Sequence, residues 1–300
     1  MNRSEIATVR AFSRTVAERV GTFTDHFLGR GRTYGESRVL WEIGAGADVR
    51  ELRTRLGLDS GYIARVLGAL EAEGMISIRP SRRDARVRSV RLTAAGRRER
   101  LELERRSDEN AKGLLAPLTE RQRAGLVAAM STVDRLLQAS LVAFAVEDPR
   151  TPDARWCIGQ YFAELQVRFE SGFDPSRSIS ASAHELTPPA GALLLARLHG
   201  RPIGCGALKF HGREPAELKR MWISPEVRGL GLGRRLLAEL ERLAREKGVR
   251  TLRLETNGSL TEAIALYRST GYREVPAFND EPYAHHWFEK ELGRGRPRRI

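Results

Sequence analysis

The sequence predicts a multidomain chain: a mainly α-helical domain carrying a small β-hairpin, followed by an α/β domain with a mixed, largely antiparallel sheet. Three observations predict it. The 300 residues suffice for two cores, at roughly 100 to 200 residues per domain. Through most of the first 146 positions apolar residues recur at steps of three and four, the spacing of helices that bury one face. After a break over Glu147 to Asp153, with Pro149 and Pro152, branched runs with short connections mix with helical stretches.

The composition, 41% hydrophobic and 30% charged, is that of a globular chain rather than a disordered one. Arg3, Glu5, Arg10, Arg14, Glu18 and Arg19 interrupt the start, so no signal-peptide core is expected there. No run of about 20 apolar residues occurs either, and a cytoplasmic protein without a membrane partner is expected. Cys157 and Cys205 each stand alone in apolar surroundings, which predicts buried reduced thiols and no metal site. The net charge of +13 is uneven, most of it falling within residues 1–145 and in the tail arginines 294, 296, 298 and 299. A basic first domain implies a polyanionic partner.

Ile6, Val9, Phe12, Val16, Val20, Phe23 and Phe27 form the stripe of one long helix that needs a partner. Helix follows over 37–45, then Asp48 to Arg55, a turn at Leu56-Gly57-Leu58-Asp59, and a helix from Ser60 to Glu73 closed by Gly74, a residue suited to a helix C-terminus. Met75 to Pro80 and Arg86 to Leu92 read as a hairpin. A capping pattern, Thr119-x-x-Gln122, opens another long stripe, Leu126, Met130, Val133 and Leu137, fading near Val146. Helix, turn, helix and basic hairpin make a winged helix-turn-helix, whose second helix enters the DNA major groove by its N-terminal residues. Those are Ser60, Gly61, Tyr62 and Arg65, with Arg82, Arg83 and Arg86 on the wing.

Leu67-x-x-Leu70-x-x-x-Gly74-Met75-Ile76, Arg79-Pro80-Ser81-Arg82-Arg83-Asp84-Ala85-Arg86 and Leu92-Thr93-x-x-Gly96 together resemble the MarR family of winged-helix regulators, over roughly residues 4–142. The resemblance implies binding to double-stranded DNA, with Asp84 and Arg86 shaping the wing. It also implies a homodimer formed by the first and last helices, which would cover both long stripes.

In the second half, strands are expected at Ala154 to Ile158, Gly191 to Leu198, Ile203 to Phe210, Ala216 to Ile223, Thr251 to Thr256, Tyr272 to Val275 and His285 to Glu289. Helices are expected at Gln160 to Glu170, Gly231 to Lys247 and Thr261 to Thr270. The strand ending at Ile223 leads through Pro225 into Arg228-Gly229-Leu230-Gly231-Leu232-Gly233 and a helix. Glycines at a helix N-terminus expose unpaired N–H groups to phosphate. A dinucleotide fingerprint is excluded because Arg234 and Leu236 stand where its third glycine would fall, and no Gly-Lys-Ser/Thr occurs to make a Walker loop.

Arg228, Gly231 and Gly233, with Leu254-Glu255-Thr256-Asn257 and Ala263-Ile264-x-Leu266-Tyr267-x-x-x-Gly271-Tyr272, are similar to the GNAT acyltransferases over about residues 154–292. The resemblance implies acetyl-CoA as acetyl donor, held by Met221, Trp222, Ile223, Arg228, Gly229, Leu230, Gly231, Leu232, Gly233, Arg234, Asn257 and Tyr267. Tyr267 would protonate the thiolate. Glu217 is the expected base, grouped by strand alternation with Lys219, Met221 and Ile223. The acidic turn Asn279-Asp280-Glu281 reads as solvated or as an attractor for a cationic amine. His285 and His286, adjacent on a strand, face opposite sides and would not share a metal.

The expected layout is a DNA-binding and dimerisation domain over 1–146, a linker over 147–153, an N-acetyltransferase domain over 154–292 and a basic tail over 293–300. The leading expectation is a bifunctional regulator and N-acetyltransferase acting on a small amine or amino acid. One alternative is a regulator whose second domain senses acyl-CoA without turnover; another keeps the winged helix for protein docking alone.

Overall fold

The computed structural model describes residues 2–80, 87–179, 181–212 and 214–293. They form two compact units, one up to Ala128 and one from Ala129 onward.

In the first unit, helix α1 (Arg3–Val20) starts at an Asn2/Glu5 capping box and ends at Gly21, in the left-handed conformation with φ 74°. None of its residues is buried: Ile6, Val9 and Phe12 lie open along one face. Helices α2 (Tyr34–Ile43), α3 (Val49–Leu56) and α4 (Ser60–Ala72) pack around Leu40, Ile43, Leu52, Ile63 and Leu70. Strand β1 (Ala47–Asp48) joins the hairpin of β2 (Ile76–Pro80) and β3 (Arg88–Leu92) in a sheet ordered β1-β3-β2. Helix α5 (Ala94–Leu115) follows, capped by Thr93. Residue 96 must be glycine because a Cβ there would lie 2.0 Å from the Met75 carbonyl oxygen.

Helix α6 (Glu120–Ser140) runs across the division between the units and leaves Met130, Leu136 and Leu137 exposed. It stops at Ser140, six residues before the expected fade. Residues 143–147 instead form strand β4 (Ala143–Glu147), paired antiparallel with β5 (Gly191–Leu198). Residues allotted above to the end of the first domain and the start of the linker therefore lie in the sheet of the second unit.

That sheet has seven strands among the described residues, ordered β4-β5-β6-β7-β8-β10-β9, with β6 (Arg201–His211), β7 (Glu214–Ile223), β8 (Thr251–Thr256), β9 (Arg273–Val275) and β10 (His286–Glu291). Only β7 and β8 pair in parallel. Helix α7 (Pro152–Arg168) covers one face. The strand expected at Ala154 to Ile158 is its first turns: Thr151 caps it, Pro152 stands at its start, and Ala154, Cys157, Ile158 and Leu165 form a helical stripe. The branched and aromatic residues of this stretch mimic a strand, but the cap and i, i+3, i+4 burial prevail. Helix α8 (Leu232–Glu246) covers the other face with Leu232, Leu236, Leu237 and Leu240, all nearly inaccessible. Burying each such leucine is worth roughly 1.5–3 kcal/mol. Helix α9 (Thr261–Ser269) carries Tyr267.

Among the described residues no helix is long and apolar enough to cross a membrane. Cys157 and Cys205 are buried free thiols.

Candidate functional site

The parallel pairing of β7 with β8 extends only to Ala216↔Leu252 and Glu217↔Arg253. Beyond it the strands splay, so the β7 edge over residues 218–223 has no strand beside it. A cleft of about 390 Å³ opens there, lined by Met221, Trp222, Ile223, Arg228, Gly229, Gly231, Leu232, Gly233, Arg234 and Tyr267, with Tyr161 and Glu164 of α7 opposite. An extended ligand arm can therefore lie along exposed backbone N–H and C=O groups.

At the head of the cleft, Gly229 and Gly231 have φ 79° and 73°, values that disfavour any side chain. Gly231 caps α8 with no side-chain acceptor, and a Cβ at either glycine would meet nothing within 4 Å. The first turn of α8 thus has no side-chain cap and borders the cleft at Gly231, Leu232 and Gly233, the arrangement a pyrophosphate needs. The Arg228 Nε donates to the Ile223 carbonyl at 2.9 Å and its guanidinium also pairs with Glu164. Glu164 accepts from Trp222 Nε1 at 2.9 Å as well. Burial would raise the Glu164 carboxyl, but Arg228 and the other donors hold it below its usual range. Leu230 does not line the cleft; it packs against the core beneath α8.

Arg220 interrupts β7 with φ 55°. The register against β6 shifts there: Ala207 faces Lys219 but Cys205 faces Trp222, which marks a β-bulge. This corrects the alternation inferred above. Met221 and Ile223 join the α8 side, Trp222 packs on the α7 side with Trp156, and Glu217 shares a buried cluster with Lys219 but not with Met221 or Ile223.

Glu217 lies outside the cleft just described. Its carboxylate meets Lys219 at 2.9 Å, Arg253 at 3.0 Å and His211 at 3.1 Å. Burial pushes its pKa up, yet Lys219, then Arg253 and His211, pull it below the ordinary carboxylate value. A carboxylate so committed is a poor base. Lys219 is in turn paired with Glu255, whose side chain is 9% exposed and whose Oε2 has no hydrogen-bond partner.

Glu255 lines a second cavity of about 80 Å³, which shares Tyr161, Leu165 and Leu260 with the first and is bordered by Phe162, Phe173, Glu281 and Tyr283. Asn257 belongs here rather than in the cofactor cleft. Its Nδ2 donates to the Tyr283 carbonyl at 2.7 Å and its Oδ1 accepts from Ser259 N at 2.9 Å. Tyr267 is 5% exposed, and burial, then the charge of Glu255, push its hydroxyl well above the usual range. It stays protonated at neutral pH, as a proton donor must. Glu255 could have been found from alternation. Leu252 and Leu254 of β8 turn to the core, so Arg253 and Glu255 face the other side, with Lys219.

His285 and His286 turn to different partners, Gly258 N at 3.2 Å and Glu274 at 2.6 Å. Among the described residues no group of three or more metal-ligating side chains occurs.

In the first unit, Ser60, Gly61 and Arg65 are exposed at the start of α4. Tyr62 is not fully exposed. Its ring turns to α2, where a Cβ on Gly35 would come within 2.0 Å of its hydroxyl, and Arg65 lies over its face at 5.1 Å. Arg82, Arg83 and Arg86 fall outside the described residues. Arg50, Arg53 and Arg88, not selected from the sequence, border a 340 Å³ cleft between α3, α4 and the hairpin.

A splayed strand pair, a glycine-rich loop at a helix N-terminus and a buried tyrosine define a fold and cleft for acyl transfer from a nucleotide-bearing donor. The acetyltransferase (GNAT) family model matches residues 159–272. An uncharacterized N-acetyltransferase of Schizosaccharomyces pombe is 38% identical over 137 residues, 44% of this chain and 79% of that protein. The N-alpha-acetyltransferase RimI of Mycobacterium tuberculosis is 36% identical over 41% of this chain and 74% of its own length. The chain belongs to the GNAT acetyltransferase family, and its second unit is an N-acetyltransferase. The PcaV transcriptional regulator from Streptomyces coelicolor is also similar in structure, 24% identical over 45% of this chain and 96% of that one, with a TM-score of 0.36.

Proposed function

We propose that the second unit transfers an acetyl group from acetyl-CoA to a small amine, and that the first unit binds double-stranded DNA as a MarR-like homodimer, making the chain a bifunctional regulator and enzyme. One observation carries the enzymatic reading: the cleft along the open β7 edge and the smaller cavity at Glu255 meet at Tyr161, Leu165 and Leu260. A donor in one and an acceptor in the other would have their reacting ends together, which supplies the proximity that acyl transfer needs.

Acetyl-CoA would supply the acyl group as an activated thioester. The amides of residues 229–233 and the start of α8 would hold its pyrophosphate, with Arg228 and Arg234 adding positive charge, while the β7 edge at 221–223 aligns the arm and offers an N–H to the carbonyl oxygen. The Glu255 carboxylate takes the proton that leaves the amine nitrogen. The Tyr267 hydroxyl holds the proton that the departing sulfur requires. Glu217 fixes Lys219, and Lys219 fixes Glu255.

The test is release of free thiol from acetyl-CoA by the full chain with a panel of amines. Amine-dependent release is expected; binding of CoA with no release by any amine would instead fit an acyl-CoA sensor.

The regulatory reading rests on the exposed start of α4 beside an arginine-bordered cleft and on the uncovered apolar faces of α1 and α6. The faces fit burial in a homodimer, which would present two α4 helices to a two-fold site. Retention on duplex DNA that weakens with salt and disappears when Arg82 and Arg83 become Ala is the expected result; salt-independent retention would favour a docking role.

A further inference from the structure

The acidic turn at 279–281 is not a solvated loop at its last residue. Glu281 is 8% exposed, and its carboxylate is spent on the roof of the second cavity. One oxygen accepts from Ser178 Oγ at 2.9 Å and from the Ile179 amide at 2.7 Å; the other accepts from the Tyr283 amide at 3.3 Å. The Tyr283 hydroxyl accepts from the Asp174 amide at 3.0 Å, and its ring packs on Phe173 at 5.0 Å. Two loops more than 100 residues apart in sequence are thereby tied across the cavity by one carboxylate and one phenol.

We propose that Glu281 is a latch that sets acceptor size, closing the cavity over the reacting end of a small primary amine with an uncharged, apolar body. This rests on the acetyltransferase reading above. The space of about 80 Å³ beneath this tie holds roughly three to five non-hydrogen atoms, given that a liquid water occupies about 30 Å³ and a 150 Å³ cavity takes benzene. Glu255 lines this space beside Phe162, Phe173 and Tyr283, a carboxylate that suits an N–H donor next to rings that suit an alkyl or aryl body. Lys219, engaged by Glu217 and Glu255, does not present an uncompensated positive charge to the amine.

The test uses the full chain, straight primary amines from ethyl to octyl, and a pentapeptide with a free amino terminus, read by thiol release. For the native chain kcat/KM should fall at least ten-fold from butyl- to octylamine, and the pentapeptide should be poorer still. Glu281→Ala should raise the octyl-to-butyl ratio at least ten-fold while the Kd for CoA stays within two-fold. An unchanged ratio, or a pentapeptide used as well as butylamine, overturns the latch.

If no amine is acetylated, transfer to small amines is what fails, and hydrogen exchange judges the latch separately. The Ile179 and Tyr283 amides should exchange at least ten-fold faster in Glu281→Ala. The Ala284 amide, bonded to the Glu281 backbone carbonyl at 3.1 Å, should hold its rate and report that the turn persists. Unchanged exchange at 179 and 283 overturns the proposal.

Discussion

The two cavities of the transferase unit share a wall and are built from different materials. The proposed donor cleft owes its shape to main chain, an unpaired strand edge, two glycines with positive φ and a helix N-terminus, although side chains line it as well. The acceptor-side cavity is made of side chains, with ion pairs and hydrogen bonds deciding where each points. Main-chain sites tolerate variation in side chains so long as backbone conformation is kept. Side-chain sites transmit every substitution to their contents, which is how one scaffold keeps a donor while changing acceptors.

The largest expected effect breaks the comparison at its meeting point. Glu255→Gln should lower kcat about 10²- to 10³-fold, and Tyr267→Phe about 10²-fold, the range of general acid–base groups. The KM for acetyl-CoA should move little in both. Because burial and then Glu255 raise the Tyr267 pKa, the alkaline loss of kcat should begin only above pH 10 in the native chain and be absent in Tyr267→Phe. A pH–rate series on both variants checks this.

Next in size is a stability effect with little catalytic echo. Glu217→Gln leaves Lys219 and Arg253 short of a buried partner and should cost about 3 kcal/mol at pH 7. The folded-state pKa of Glu217 is depressed. Its contribution is therefore complete above the unfolded value near 4.5, and it is lost as pH falls through the folded value. Urea melts of native and variant chains should differ most at pH 7 and converge in acid, while kcat at pH 7 stays within about three-fold if Glu217 only positions Lys219.

Smaller again is a pure main-chain change. Gly231→Ala forces a Cβ onto φ 73° at about 1–2 kcal/mol, so the KM for acetyl-CoA should rise about ten-fold with no change in acceptor preference. A shift in acceptor preference would mean the two cavities are not separable. The smallest effect concerns the other unit: Arg79→Ala, exposed on the hairpin, should reduce the salt slope of duplex binding by about one and leave acetyl transfer untouched.

The same division of materials explains what the sequence revealed. The donor loop is contiguous, so Arg228 to Gly233 showed its chemistry directly, and the long stripes of α1 and α6 were plain from periodicity. The proposed acceptor cavity draws on five separated segments, residues 161–173, 178–179 with 181, 219–220, 255–260 and 281–284, and no spacing rule joins them. Glu217 was favoured as a base by the family resemblance, and alternation along β7, which cannot foresee a bulge at an arginine, grouped it with Met221 and Ile223. Tyr62 was selected because it stands at a helix start, and its packing was not legible because the small residue at 35 beside its hydroxyl lies two helices back, on α2. Strand β4 was hidden because Ala143–Glu147 continues an apolar pattern that had been helical.

The bulge at Arg220 has a consequence for how the chain can change. Upstream of it the odd-numbered residues of β7 face α7; downstream, Trp222 faces α7 while Met221 and Ile223 face α8. Removal of this single residue would restore strict alternation and leave those three side chains on the faces they now occupy, because the bulge sets one extra residue of β7 against β6. A one-residue deletion in a regular stretch of the strand turns every following side chain to the other face, whereas at this bulge it need not. At this point of the strand, length is freer to change than it is on either side.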